Sequence, residues 1–368
     1  MKLKISLAVA ALLATSVQGV SIKSDLGMGN DLSEMSNVDA SSELGRFVGP
    51  DGQAINLAET KGHARLVLSQ KRKYDMPMEE TNLLLDEFDP KKCDREGGAN
   101  HCPINKNGTG GNAVHLLQKN LEDNAYVSDI YVGNPPQKVR ALFDTGSTNT
   151  WILNSKVELP NGATKEFSYN DGESCSAHKL DQRAMIQFGS GALAGHFMTD
   201  DIRVGTCDDK SSGQIHIKDQ KFGNVEKQST IFTGSNFEAI VGMAYPALAE
   251  KGVKPVFDEM IDQHLLKNNV FAFYLTSKQA ENLGFASDLT FGYYDKAKFK
   301  GAIHWNPILF KYMFGVKLDD IKVNGKSTGV CQGKECLITF DSGTSLMSMP
   351  HFATDILQKN KIPTSNTI

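Results

Sequence analysis

Val139-Arg140-Ala141-Leu142-Phe143-Asp144-Thr145-Gly146-Ser147 has a counterpart two hundred residues on, Leu337-Ile338-Thr339-Phe340-Asp341-Ser342-Gly343-Thr344. Each runs an apolar segment into Asp, a small hydroxyl residue and Gly. Each turns apolar again, at Trp151-Ile152-Leu153 and at Leu346-Met347. Apolar runs of this length around turn residues predict strand, tight turn, strand at both places. The hydroxyl residue and the glycine let backbone and a partner approach the carboxylate closely. A single Asp-Thr-Gly is an ordinary turn; two copies in matching apolar frames predict duplicated lobes, each contributing one acid. Two carboxylates within hydrogen-bonding distance cannot both ionise freely, so they share a proton in the acidic range. One can then act as general base on a water while the other donates to a carbonyl oxygen.

A chain of 368 residues can bury a large core and hold two lobes plus extensions. Its net charge of −4 gives no reason to invoke a nucleic-acid partner. Lys2 and Lys4 precede an apolar run over 5–13, followed by small and polar residues to Gly19. That pattern predicts a secretory signal peptide over 1–19, too short to span a bilayer. No later segment is long and apolar enough to cross one, so the expected location is the secretory pathway, extracellular or an acidic vesicle. Residues 20–115 are polar, charged and poorly periodic, with glycines at Gly97-Gly98, Gly108 and Gly110-Gly111. They read as a propeptide and linker, with a glycosylation sequon at Asn107-Gly108-Thr109.

From Ala125 to Gly133 an alternating strand is followed by the turn Asn134-Pro135-Pro136-Gln137. Strand-sized apolar segments recur to Trp305, and one helix is predicted over 256–264. This is a mainly β chain. The run from Gly189 to Gly195, Gly-Ser-Gly-Ala-Leu-Ala-Gly, has the look of a dinucleotide fingerprint, but residues 196–204 read as strand where that motif needs a helix. Nucleotide binding is rejected. The acidic pairs Asp200-Asp201 and Asp208-Asp209 read as solvated loop charges. In an oxidising compartment the six cysteines predict disulfides. Cys93 and Cys102 frame a Gly-rich turn and suit a local pair; Cys175 and Cys207 remain, their pairing open. Without Cys-x-x-Cys or clustered His, zinc is disfavoured, and no metal or organic cofactor is expected.

The residues around both Asp resemble the pepsin-like aspartic proteases, themselves the standard instance of a carboxylate pair sharing a proton. Ile240-Val241-Gly242-Met243-Ala244-Tyr245-Pro246 resembles the family's hydrophobic-hydrophobic-Gly segment, which closes the first lobe around its Asp. Lys254-Pro255-Val256-Phe257-Asp258 and Val270-Phe271-Ala272-Phe273-Tyr274-Leu275 resemble the helix and strand that follow. The similarity runs from about Asn124 to Pro350. It implies a bilobal pepsin-like fold, with an N-terminal catalytic lobe over 116–300 and a partial C-terminal lobe over 301–368.

On that resemblance Asp144 and Asp341 are the catalytic pair, with Gly146 and Gly343 in the tight turns. Thr145 and Ser342 lock the lobes through reciprocal backbone bonds, while Ser147 and Thr344 hold the outer carboxylate oxygens. The segment from Ile186 to Gly191 resembles the substrate-covering flap, with Phe188, Gly189, Ser190 and Gly191 at its tip. Phe188 replaces the family's usual tyrosine, whose hydroxyl bonds the indole matching Trp151; plasmepsin-type enzymes include members with this replacement, so the resemblance extends to that subgroup as an expectation. Cys331 and Cys336 resemble a small disulfide loop. Residues 64–74 resemble the prosegment, in which a lysine of a cluster such as Lys71-Arg72-Lys73 sits against the two acids. Without the resemblance they read as a solvated basic run.

The implied function is a secreted aspartic endopeptidase made as a zymogen, with protein or peptide substrates and its own propeptide as partners. The rival is an inactive member that binds peptides. Two motifs in one chain make a homodimeric retroviral-type arrangement unnecessary. Only residues 342–368 follow Asp341, and they hold no second hydrophobic-hydrophobic-Gly segment. Internal symmetry therefore predicts an incomplete C-terminal lobe. The strand before Asp341 should be short of neighbours, as in an incomplete copy of an active protease.

Overall fold

The computed structural model describes residues 113–157, 159, 165–187, 192–205, 214–250, 252–323, 325–345, 347–349 and 359, with the backbone of 11–12, 47–48 and 54–55. The protein is mainly β. Strands β1 (Val114–Leu121), β2 (Ala125–Val132) and β3 (Gln137–Asp144) form an antiparallel meander. In β2, Ile130 and Val132 are buried while Asp129 and Tyr131 are half-exposed, the period of two expected of a strand with one covered face. Short β4 (Trp151–Leu153) is followed by the long strands β5 (His178–Gln187), β6 (Ala192–Val204) and β7 (Ile215–Gln228). Strand β8 (Ala239–Gly242) threads between β3 and β4, parallel to β3 with Gly242 opposite Asp144 and antiparallel to β4. Strand β7 runs parallel to β4.

At its far end β6 pairs back onto β2, Val204 opposite Ile130 and Ile202 opposite Val132, so six strands close into a ring. Ile130, Val139, Ile152, Ile202, Phe222 and Val241 fill it at 2% exposure or less. Each such side chain contributes about 1.5–3 kcal/mol by leaving water.

Helix α1 (Val256–Asp262) begins after Pro255, places Asp258 and Glu259 in its first turn, and buries Val256 and Met260 on one face. It stops short of the predicted 264 because His264 takes a left-handed φ of 55°. Strands β9 (Phe271–Tyr274) and β10 (Ser287–Phe291) pair with each other, and β10 pairs with β1, extending the large sheet. A second, small sheet holds β11 (Phe310–Lys311), β12 (Phe314–Leu318) and β13 (Cys336–Phe340). It meets the first body where Phe314 packs tilted against Tyr245 and edge-to-face against Phe271, at centroid distances of 5.0 and 5.5 Å.

One expectation needs correcting. The strand before Asp341 does have neighbours: β12 on one side, with Val316 opposite Ile338, and the backbone of Ala11–Leu12 on the other. Phe-Gly-Val-Lys-Leu in β12 carries a glycine and a lysine, which hide its strand character in sequence. Cys331 and Cys336 are disulfide-bonded, Cα to Cα 5.7 Å, and sit with Val330 in a small core. Cys175 is also disulfide-bonded; Cys93, Cys102 and Cys207 lie outside the described residues, as do residues 64–74 and the sequon. Among the described residues no helix is long and apolar enough to cross a membrane.

Asp200 is a second correction. It is fully buried, not a solvated loop charge. It lies in β6, in step with Met198 and Ile202, so the strand period turns it toward the core. There Tyr169 Oη donates to Oδ2 (2.5 Å), while Ser176 Oγ (2.5 Å) and the Asp201 N–H (2.8 Å) donate to Oδ1. Asp208 and Asp209 lie outside the described residues. Burial raises the Asp200 pKa, and the three bonds offset part of that rise. Asp200→Ala removes the buried carboxylate acceptor of the Tyr169 hydroxyl, and should cost about 3 kcal/mol in denaturant unfolding. A raised folded pKa means the stabilisation is full below the free acid's range and fades as pH climbs through the folded value. The Asp200→Ala deficit should therefore be largest in acid and shrink toward neutrality.

Candidate active site

Strand β3 ends on Asp144, and β13 ends one residue before Asp341. Each chain then enters its Asp-x-Gly turn, and the two turns meet. Both carboxyls are buried, at 8% and 7% exposure. The Gly146 N–H donates to Asp144 Oδ1 (2.9 Å) and the Gly343 N–H to Asp341 Oδ1 (2.8 Å). Ser147 Oγ donates to Asp144 Oδ2, and Thr344 Oγ1 to Asp341 Oδ2 (2.8 Å). Each acid is thus oriented on both oxygens by its own turn.

The turns are also locked to each other. Thr145 Oγ1 donates to the Phe340 carbonyl (2.7 Å) and accepts from the Ser342 N–H (2.9 Å). Reciprocally, Ser342 Oγ donates to the Phe143 carbonyl (2.6 Å) and accepts from the Thr145 N–H (3.0 Å). Four bonds fix the separation of the carboxyls. The glycines make that separation possible. A Cβ on Gly146 would fall 2.2 Å from Asp341 Oδ2, and one on Gly343 would fall 2.3 Å from Asp144 Oδ1. Just past the end of β8 the Met243 N–H donates to the Asp144 carbonyl (2.8 Å) and the Ala244 N–H to the Ser147 carbonyl (2.9 Å), holding the first turn from behind.

Burial holds the Asp144 carboxyl well above the usual carboxylate range; the charge of Asp341 and a hydrogen bond with its carboxyl push the same way. The bonds from Ser147 and Gly146 oppose this more weakly. An arrangement of this kind can keep one proton while presenting one basic oxygen.

Trp151 is 1% exposed and packs on Phe197, ring centroids 6.0 Å apart. Its Nε1 is buried and finds no acceptor among the described residues. Phe188, Gly189, Ser190 and Gly191 lie outside the described residues; they join β5 to β6, whose flanking residues Gln187 and Ala192 pair antiparallel. Because residues from Ala192 onward form a strand, the glycine run has no helix to offer a pyrophosphate. Sequence reasoning missed the Tyr169–Asp200–Ser176 network; its signal was the period-two alignment of Asp200 with core residues. The bonds from Met243 and Ala244 are backbone contacts that no side-chain pattern announces.

The family model described as eukaryotic aspartyl protease matches residues 125–367. The chain is 33% identical to aspartic proteinase A3 of Arabidopsis thaliana over 240 residues, covering 65% of this chain and 45% of that protein. It is 34% identical to phytepsin of Hordeum vulgare over 233 residues, 63% of this chain and 44% of that one. It is 34% identical to cathepsin D of Bos taurus over 266 residues, 70% and 67% of the two. The chain spans about half the length of the plant relatives it matches. The match runs through both Asp turns and the strands that carry them: the chain belongs to the eukaryotic aspartyl protease family.

Proposed function

We propose that the protein is an aspartic-type endopeptidase, in which Asp144 and Asp341 share one proton and activate a water against a peptide bond. The observation that carries this reading is the mutual fit of the two turns, in which each glycine leaves room for the other lobe's carboxylate. In this reading Asp144 carries the shared proton, and Asp341 takes one from water as the water oxygen attacks the carbonyl carbon. Asp144 donates to the carbonyl oxygen, giving a neutral tetrahedral diol. Collapse of the diol passes the Asp341 proton to the leaving amine and one hydroxyl proton back to Asp144 as the carbonyl re-forms and the C–N bond breaks, with no covalent intermediate. The substrate lies extended and pairs by backbone, as an added strand. Digestion of a peptide library at several acidic pH values tests the assignment; endoproteolytic cuts are expected, and an untouched library counts against it.

Residues 1–19 act as the export signal in this reading; their removal would take the Ala11–Leu12 backbone off β13 and leave β12 as its partner. Residues 20–115 act as a propeptide bound until acidification. The composition of these segments supports it, as does the Cys331–Cys336 disulfide, which suits an oxidising compartment. Trp151 Nε1 has no acceptor among the described residues, as expected if a phenylalanine stands at 188. Phe188→Tyr would supply an acceptor, and should tighten substrate binding by about 1 kcal/mol. Phe188→Ala should raise KM far more by removing the aromatic wall. Unchanged kinetics in Phe188→Ala would detach this segment from the site.

A further inference from the structure

We infer that a surface groove beyond the end of β10 docks an acidic segment of this chain's own N-terminal extension, residues 78–89. The groove is lined by Tyr294, Lys296, Phe299, Gly301, Ile303 and Trp305, and its volume is about 340 Å³. Its walls are aromatic, with Tyr294 6.1 Å from Phe299 and 6.2 Å from Trp305 between centroids. Yet Trp305 is 71% exposed, a large apolar surface left in water. Its rim is basic. Lys296 and Lys300 are exposed and Lys298 is half-buried, its Nζ 4.8 Å above the ring of Tyr274. From Tyr294 to Trp305 the sequence holds a single acid, Asp295. Aromatic walls under a lysine rim fit a partner that is apolar and acidic at once.

Met78-Glu79-Glu80-Thr81-Asn82-Leu83-Leu84-Leu85-Asp86-Glu87-Phe88-Asp89 has that chemistry. Carboxylates flank a leucine run and Phe88, no base intervenes, and Pro77 and Pro90 bound the stretch. The topology delivers it to the groove. Val114 pairs with Phe291 at the end of β10, three residues before Tyr294, so the chain leading into β1 leaves the sheet beside the groove. Residues 90–113 reach at most about 80 Å when extended, ample for a return. A tether of this kind holds the segment at roughly millimolar effective concentration. Docking does not depend on the peptidase reading; if that reading holds, loss of the propeptide would also uncover the groove.

Two measurements on the full chain test the inference. Carbodiimide coupling joins carboxylates to lysine amines only at ion-pair range. Peptide mapping should find links from residues 79–89 to Lys296, Lys298 or Lys300 within single chains. Acrylamide quenching reads the groove directly, since the chain has two tryptophans and Trp151 is buried. Trp305 should be shielded in the parent and quenched at least threefold more strongly in the double variant Leu84→Ser, Phe88→Ser, which also loses the links. An unchanged unfolding midpoint in the double variant separates loss of docking from misfolding. Equal quenching in parent and variant overturns the inference. So do links from the other acidic stretch, 31–43, links only between chains, or shielding that requires anionic lipid vesicles.

Discussion

Asp144→Asn and Asp341→Asn are each expected to abolish peptide cleavage, slowing turnover by about a thousandfold or more while leaving the fold intact. The magnitude follows from the division of labour. General acid and general base catalysis each contribute about 10²–10⁴, and in a shared-proton pair neither acid can do both jobs. Asparagine keeps the shape and can still accept from Gly146 or Gly343, so the turn geometry should survive. What it loses is the ability to exchange a proton. The carboxyls are buried against each other, so removing one charge should not destabilise the pair. Equal melting temperatures with lost turnover would locate the effect in chemistry. Substantial turnover in either variant would sink the dyad assignment.

Gly146→Ala and Gly343→Ala should be nearly as damaging, for a different reason. Neither glycine has a positive φ, so alanine meets no backbone penalty at either position. The conflict is purely one of contact. At 2.2 Å from Asp341 Oδ2, the new methyl must drive that carboxylate away by about 1 Å to reach ordinary separation. A displacement of that size can slow the reaction about 100-fold, whereas overpacking at one site costs about 1–3 kcal/mol of stability. The expected signature is therefore a large loss of turnover, by about two orders of magnitude, beside a modest drop in unfolding midpoint. A Gly146→Ala enzyme that turns over as fast as the parent would mean that the two acids do not approach as closely as described.

Much of this arrangement was legible in the sequence, and the reasons are local. Val139 to Phe143 and Leu337 to Phe340 announce strands by composition, and a tight turn must follow where Asp meets Gly. That made a mainly β fold readable. The ring closure between β6 and β2 was not, because Ile202 and Ile130 are far apart in sequence and strand pairing carries no local mark. The pairing of β12 with β13 was hidden by Gly315 and Lys317, which break an apolar pattern without breaking a strand. Asp200 was misread because adjacent acids usually face water. The neighbours Met198 and Ile202, two residues to either side, placed it on the buried face, and burial was tolerated because Tyr169 and Ser176 meet it there.

The pH dependence of kcat/KM for cleavage of a single peptide tests the central claim most directly, because a shared proton has a titration of its own. One proton on the pair gives activity; two or none give no turnover. The result predicted is a bell confined to acid, its falling limb set by loss of the shared proton from the pair and displaced above the ordinary Asp value of about 3.9, the direction in which burial and the neighbouring carboxyl push Asp144. Activity that keeps rising through neutral pH would contradict the shared proton and, with it, the mechanism built on Asp144 and Asp341.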